Sequence, residues 1–154
     1  MKVDIYSRKS VTELIESEFP QNTAVISFCD PATEKTRAER RPVDYKGKCE
    51  RLFNVAIHDI DIEILPDYGL TADTYFPEAQ ALAEFIICAE RDGLDILCQC
   101  EYGQSRSAAC AAAIKEYFFG NGITVFADYR YYPNQLVFNK VYDALRRVGN
   151  EIGK

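Results

Sequence analysis

One ten-residue stretch, Cys98–Ser107 (CQCEYGQSRS), constrains the fold more than any other part of the chain. It joins the apolar segment Asp95–Cys98 to an alanine-rich segment that begins at Ser105, so the sequence predicts a buried strand, a short loop and a helix in direct succession. Backbone N–H groups converge at a helix N-terminus, where the helix dipole adds partial positive charge. The loop is therefore suited to binding an anion with phosphate-like geometry.

The side chains of this loop indicate chemistry on a phosphate group. Arg106 offers a planar fork of N–H donors that matches two phosphate oxygens, which a lysine does not. The positive field favours the thiolate of Cys100, a nucleophile for phosphorus, and Ser107 can donate a hydrogen bond to that sulfur when it leaves. Gly103 is best able to take a positive φ in the bend. The predicted phosphate-binding residues are Glu101, Tyr102, Gly103, Gln104, Ser105 and Arg106.

The run CEYGQSRS, followed by AACAAAI, resembles the Cys-x5-Arg-Ser signature of the cysteine-dependent protein tyrosine phosphatases, most closely the small dual-specificity branch. Low-molecular-weight phosphatases and arsenate reductases carry Cys-x5-Arg just after their first strand, whereas here it comes two-thirds of the way along the chain. The resemblance implies a phosphoric monoester hydrolase that forms a phosphocysteine on Cys100 and needs no metal or organic cofactor. Its partners would be a phosphorylated protein or a small phosphomonoester, with phosphate or another oxyanion in the loop.

Gln99 departs from the family pattern, in which the residue before the nucleophile is usually histidine. Glutamine can hydrogen-bond to the loop backbone but never carries positive charge. A phosphate-binding pseudophosphatase with the same fold therefore stays open as an alternative. The only histidine, His58, lies elsewhere in the sequence. A second alternative is a rhodanese-like sulfur-transfer protein, which would also use a loop cysteine; the additional thiol of Cys98 keeps this alternative open.

Three aspartates are candidates for the general acid that protonates the leaving oxygen. Leu52–Ile57 is a predicted strand, followed by His58-Asp59-Ile60-Asp61 and then by a loop that contains Asp67. In the dual-specificity family the acid sits just beyond such a strand, so the resemblance points to Asp59 first and Asp61 second. Asp67 lies nearer to the usual sequence distance before the cysteine and stays a third candidate.

Predicted strands and helices alternate along the rest of the chain. This order indicates an α/β fold with a central, mainly parallel twisted sheet and helices on both faces, like that of the protein tyrosine phosphatases. The length of 154 residues, with no linker or internal repeat, predicts a single domain over residues 1–154. The further predicted strands are Val3–Tyr6 and Thr23–Phe28, and the further helices run from a capping box at Ser10–Glu13 to about Glu18, from about Phe76 to Asp92, and from Pro133 past Val148.

Composition limits the classes of partner. A net charge of −6 argues against nucleic-acid binding as a main activity, since backbone phosphates need a basic surface. The basic segment Lys35–Arg41 is the local exception, interpreted either as a solvated loop or as an edge of the site that attracts phosphorylated ligands. No apolar stretch approaches the roughly 20 residues that span a bilayer, so no membrane partner and a cytoplasmic location are expected.

The cysteines and tyrosines leave two smaller questions. The six cysteines lack C-x-x-C pairs and the density of a small secreted scaffold, so neither a disulfide framework nor a zinc site is expected; Cys98 is interpreted as a core residue or as a redox thiol. The aromatic segment Tyr129–Asn134 is expected to pack in the core by default, with a wall beside the catalytic loop as the alternative.

Overall fold

The structure, a computed structural model, describes residues 1–32 and 41–152. The basic segment Lys35–Arg41 therefore lies, except for Arg41, outside the described residues. Within them, strands and helices alternate as the sequence predicts. They are β1 (Val3–Ser7), α1 (Arg8–Glu16), β2 (Thr23–Cys29), β3 (Arg51–Ala56), a 3₁₀ segment (Ile62–Tyr68), α2 (Ala79–Arg91), β4 (Asp95–Cys100), α3 (Arg106–Phe119), the short α4 (Ile123–Phe126) and α5 (Gln135–Ile152).

The four described strands form one sheet in the order β1-β4-β2-β3, and every neighbouring pair is parallel. Strand β4 lies inside the sheet, with Cys98 level with Ile5 on one side and Ile26 on the other. Its residues are almost entirely buried, which explains the apolar run that precedes the loop. The carboxyl ends of β2, β3 and β4 meet at one edge of the sheet, the edge where ligands bind in open parallel sheets.

Helices cover both faces of the sheet, as predicted. On one face the side chains of β2 and β4 pack against α2 and α3, and α5 packs against these two helices, in a core that includes Phe28, Ile96 and Ile114. On the other face Val25 and Leu97 pack against α1. Alternate residues of β2 and β4 therefore enter different cores. The alanine run of α3 is fully buried, since small side chains let this helix lie close to the sheet.

The predicted start of α1 is wrong. The N-cap is Ser7 rather than Ser10, because Ser7 is still extended at the end of β1 and its side chain accepts a hydrogen bond from the Ser10 amide. The helix ends at Glu16, two residues before the predicted Glu18. Strand β1 and helix α1 thus join without a connecting loop, and this junction contacts the predicted phosphate loop.

Candidate active site

Cys100 ends β4 and Ser107 lies in the first turn of α3, so the loop between them closes on itself. The Sγ of Cys100 lies 3.0 Å from the Oγ of Ser107, and both residues are buried. The structure therefore brings together the predicted nucleophile and the hydroxyl predicted to assist its departure as a leaving group.

The β1–α1 junction holds the loop from one side. The Arg8 backbone amide donates to the Glu101 carbonyl at 3.0 Å, and the Arg8 Nε forms a 2.8 Å ion pair with the Glu101 carboxylate. Gly103 adopts φ 67°, and a Cβ at this position would lie 2.7 Å from the Ser7 nitrogen. Only glycine meets both conditions without strain, which explains its position in the motif. Tyr102 is 70% exposed.

Arg106 is oriented from the neighbouring strands. Its Nη1 donates to the Asp30 carboxylate at 3.0 Å and to the Ile57 carbonyl at 2.7 Å, directly after β2 and β3. Its Nε is buried and has no hydrogen-bond partner among the described residues. The guanidinium is thus fixed through Nη1 by two acceptors, while its buried Nε–H has no partner among the described residues. Sequence analysis missed Asp30, although an aspartate directly after a buried strand is a usable signal.

Of the three candidate general acids, Asp59 contacts the loop. Its Oδ1 accepts hydrogen bonds from the Ser105 hydroxyl at 2.7 Å and from the Asn134 amide at 2.9 Å. Asp61 is exposed and precedes the 3₁₀ segment, and Asp67 is exposed within that segment. Asp59, the first of the three candidates, is thus hydrogen-bonded to the loop and to Asn134.

Asn134 links the loop, Asp59 and α5. Its amide nitrogen donates to Asp59 and to the Ile60 carbonyl, and its backbone N–H donates to the Ser105 carbonyl at 3.3 Å. Its side-chain oxygen accepts from the Val137 amide, so Asn134 caps a helix that was predicted to begin at Pro133. The role of Asn134 was missed. Its residue type, directly before a periodic apolar segment, is the signal that sequence analysis could have used.

The aromatic segment before α5 runs beside the loop. The Tyr132 backbone amide donates to the Gln104 carbonyl at 2.8 Å. Tyr129 and Tyr132 are 89% and 72% exposed, so core packing is wrong for these two, whereas Tyr131 is partly buried against Val125 and its neighbours. The segment forms part of the rim of the site.

Gln99 is fully buried in a neutral network. Its Oε1 accepts from the hydroxyls of Ser27 and Tyr45, and its Nε2 donates to the Cys100 carbonyl at 3.0 Å. Burial raises the pKa of Tyr45, which keeps its phenol a neutral donor. His58 does not join this network: its ring packs against Tyr68 with 4.5 Å between centroids. The end of β4 is thus held by an uncharged amide.

The other five cysteines are buried or partly buried. Cys98 is fully buried, and a hydrogen bond with Cys110, together with burial, raises the pKa of Cys98. Burial also raises the pKa of Cys29, whose charge environment includes Arg106 and Asp30. All six cysteines are free. The described residues include no His, Cys, Asp and Glu cluster able to hold a metal ion, and no described helix is long and apolar enough to cross a membrane.

Comparison with known proteins identifies the fold. Neither a protein-family model nor a curated protein sequence matches the chain. Among solved structures, a variant of human DUSP28 is similar over 97% of this chain and 92% of its own, with 13% identity and a TM-score of 0.58. The human tyrosine phosphatase-like serine/threonine/tyrosine-interacting protein matches over 92% and 86%, with 18% identity and a TM-score of 0.52. PTPMT1 matches over 99% and 94%, with 14% identity and a TM-score of 0.51.

Identities this low establish the fold and nothing finer. The chain has the fold of the dual-specificity phosphatases, within the wider protein tyrosine phosphatase arrangement. The resemblance inferred from the Cys-x5-Arg-Ser stretch is confirmed at this level.

Proposed function

We propose that the protein is a cysteine-dependent phosphatase of the dual-specificity type, with Cys100 as nucleophile. The observation that carries the proposal is the buried Nε of Arg106, which has no partner among the described residues. An unsatisfied buried donor costs about 1–3 kcal/mol, and an oxyanion in the adjacent loop would remove this cost. The arginine of the Cys-x5-Arg loop is thus oriented and incompletely satisfied, as an anion site requires.

In the proposed first step, the Cys100 thiolate attacks the phosphorus atom in line. A sulfur–phosphorus bond forms while the bond from phosphorus to the ester oxygen breaks. The backbone N–H groups of Glu101–Arg106 and the Arg106 guanidinium stabilise the charge on the equatorial oxygens, and Asp59 gives its proton to the leaving oxygen. The products are an alcohol or phenol and a phosphocysteine.

In the second step, water attacks the phosphocysteine. Asp59, now ionised, takes a proton from the water, and Gln104 is suited to orient it. The sulfur–phosphorus bond breaks, Ser107 donates a hydrogen bond to the departing sulfur 3.0 Å away, and inorganic phosphate leaves. The proton balance closes, because Asp59 ends protonated as it began.

The proposed substrates are phosphorylated proteins or small phosphomonoesters. A mouse dual specificity phosphatase of similar fold, 14% identical with a TM-score of 0.52, was crystallised with zinc tungstate. Tungstate is a tetrahedral oxyanion, which fits the proposal that phosphate occupies the loop here. The proposal includes a cytoplasmic location, which the six free thiols suit, since that compartment keeps cysteines reduced.

A second candidate function, a phosphate-binding pseudophosphatase, is favoured by the neutral network around Gln99. With no cationic ring beside the nucleophile, the thiolate of Cys100 loses one source of stabilisation while the anion site persists. The rhodanese-like alternative has no comparable support, since Cys98 bonds to Cys110 inside the core.

Hydrolysis of para-nitrophenyl phosphate decides between the two. We expect turnover that Cys100→Ser abolishes and that the matched thiol variant Cys88→Ser, outside the site, retains. Vanadate should inhibit the native protein competitively. Vanadate binding without turnover would replace the phosphatase by the pseudophosphatase, and failure to bind any oxyanion would reject both.

A further inference from the structure

A groove of about 680 Å³ opens beside the candidate active site. We call it the flanking groove. One wall is the chain from Ile60 to Ile64 and the other is the chain from Tyr132 to Asn139. Asp59 and Ser105 line it as well, and Ser105 belongs to the phosphate loop, so the groove begins where the candidate site ends. A volume of this order is that of a typical ligand cleft.

The flanking groove combines exposed apolar groups with negative charge. Ile62, Ile64 and Tyr132 are 59%, 39% and 72% exposed along its walls. The charged residues among those that line it are Asp59, Asp61 and Glu63, and neither lysine nor arginine is among its described lining residues. Apolar surface rimmed by charge of one sign is suited to a partner that carries the opposite charge beside an apolar side chain.

We propose that the flanking groove binds the residues on either side of a phosphorylated side chain in a protein substrate, and selects lysine or arginine next to an apolar residue. The inference rests on the proposed function and adds its substrate class. A residue held in the loop by its phosphate brings its chain neighbours, spaced about 3.3 Å apart when extended, over the adjoining surface. Neighbours that follow the groove meet Ile62 and Tyr132 through apolar contact and Asp61 and Glu63 through charge.

The same charges disfavour polyphosphorylated small molecules. An inositol polyphosphate or an RNA end held by one phosphate would bring further negative groups toward Asp61 and Glu63. Like charges placed together oppose binding, whereas a cationic peptide side chain gains from the same field. The groove therefore favours a phosphoprotein over a polyanionic ligand.

Matched phosphopeptides test the inference. One series carries a single lysine at each position from three before to three after the phosphorylated residue, the other a glutamate in its place, each made with phosphotyrosine and with phosphothreonine. We expect the lysine peptide to have the higher kcat/KM at one or more positions, by about two- to fivefold for each exposed charge pair. The ratio of kcat/KM for the lysine peptide to kcat/KM for the glutamate peptide should fall toward one in high salt, because exposed charges are screened.

The variant Glu63→Lys should bring this ratio close to one. The control Glu84→Lys makes the same charge change on the exposed face of α2, outside the groove, and should keep the native ratio. Comparing ratios removes any general effect on catalysis. Equal turnover of the two series, or a native ratio in Glu63→Lys, would overturn the inference.

Failure of the inference and failure of the proposed function are distinguishable. Turnover of para-nitrophenyl phosphate, which has no flanking residues, reports the phosphatase alone. If the native protein lacks turnover, affinities of the same peptides for Cys100→Ser, measured by fluorescence anisotropy, still test the groove. A lysine preference there supports it, and its absence, or tighter binding of inositol polyphosphates than of the lysine peptides, rejects it.

Discussion

The Ser105 hydroxyl donates a 2.7 Å hydrogen bond to the carboxylate of Asp59. This bond joins the chain after β3 to the loop after β4, at the edge of the sheet where the parallel strands end. The candidate general acid is thus in contact with the candidate phosphate loop before any substrate binds.

Replacing Asp59 should remove the basic limb of the pH profile. A general acid must be protonated to act, so activity falls at high pH as it ionises, and Asp59→Asn eliminates that dependence. The loss in kcat should be about 10²-fold or more with phenyl phosphate, and smaller with para-nitrophenyl phosphate, whose leaving group needs less protonation. Asp61→Asn and Asp67→Asn should keep the basic limb. A limb lost in either of these instead would transfer the role from Asp59.

Asn134 should act on catalysis and on stability through different atoms. Its Oδ1 caps α5, whereas its Nδ2 holds Asp59. Asn134→Ala removes both and should lower the free energy of unfolding by about 0.5–2 kcal/mol for the cap alone. Asn134→Ser keeps a capping oxygen without the amide donor. It should therefore retain more stability, yet lose up to about 10²-fold in kcat through misplacement of Asp59.

The two Asn134 variants need a readout that stability does not move. The basic limb of the pH profile and the ratio of kcat for phenyl and para-nitrophenyl phosphate both report the acid. Native values in Asn134→Ser would show that Asn134 serves the helix only.

Gly103→Ala should lower the free energy of unfolding much more than Gly93→Ala does. Both glycines have positive φ, but a Cβ at Gly93 meets no heavy atom within 4 Å, whereas one at Gly103 would meet the Ser7 backbone at 2.7 Å. The left-handed conformation alone costs about 1–2 kcal/mol, and the clash adds about 1–3 kcal/mol at Gly103. Chemical denaturation measures the difference. Equal losses would mean that the loop moves away from the β1–α1 junction without penalty.

Alkaline pH should destabilise the fold through two buried tyrosines. Burial raises the pKa of Tyr45 and of Tyr75, and the Asp59 charge raises that of Tyr75 further. Above the unfolded-state pKa of about 10, the unfolded chain loses these protons while the folded chain keeps them. The free energy of unfolding should then fall by about 1.4 kcal/mol per pH unit for each tyrosine. The fall in the free energy of unfolding with pH should be shallower in Tyr45→Phe. An unchanged slope would contradict the role given to the buried Tyr45 phenol.

Sequence patterns predicted the elements that depend on local signals. The burial of β4 on both faces gives an unbroken apolar run, and the alanines of α3 mark a helix packed against the sheet, so strand, loop and helix were all correctly predicted. The N-cap at Ser10 was wrongly predicted. The sequence pattern of a capping box fits Ser10 with Glu13, but in the structure the box is formed by Ser7 with Ser10.

Contacts between distant segments could not be predicted in this way. Asp30 and Arg106 are 76 positions apart, and Asn134 and Asp59 are 75 apart. Which side chains meet depends on strand order, and the alternation of strands and helices is compatible with several orders of a parallel sheet. The sequence offered three candidate aspartates for the general acid, and the contact between Asp59 and Ser105 is a tertiary feature that only the fold supplies.

The buried amide of Gln99 offers a last prediction, which bears on whether the protein turns over substrate. Its single oxygen accepts from two hydroxyls while its nitrogen donates to the Cys100 carbonyl. Gln99→Met removes all three bonds at similar volume and should lower the free energy of unfolding by about 2–4 kcal/mol, since the Cys100 carbonyl loses its donor and the Ser27 and Tyr45 hydroxyls lose their acceptor. Gln99→His keeps one donor and one acceptor and should therefore lower the free energy of unfolding by less than Gln99→Met.

The histidine variant also introduces a group that can become cationic beside Cys100. Alkylation of Cys100 by iodoacetate, followed by mass spectrometry of the peptide that contains it, should then be about tenfold faster near pH 6 in Gln99→His than in the native protein. The Met variant, which adds no charge, is the control and should show no such acceleration. If Gln99→His gains alkylation and phosphatase activity together, the neutral network is what limits the native nucleophile. Faster alkylation without a gain in turnover would shift the limiting step to protonation by Asp59.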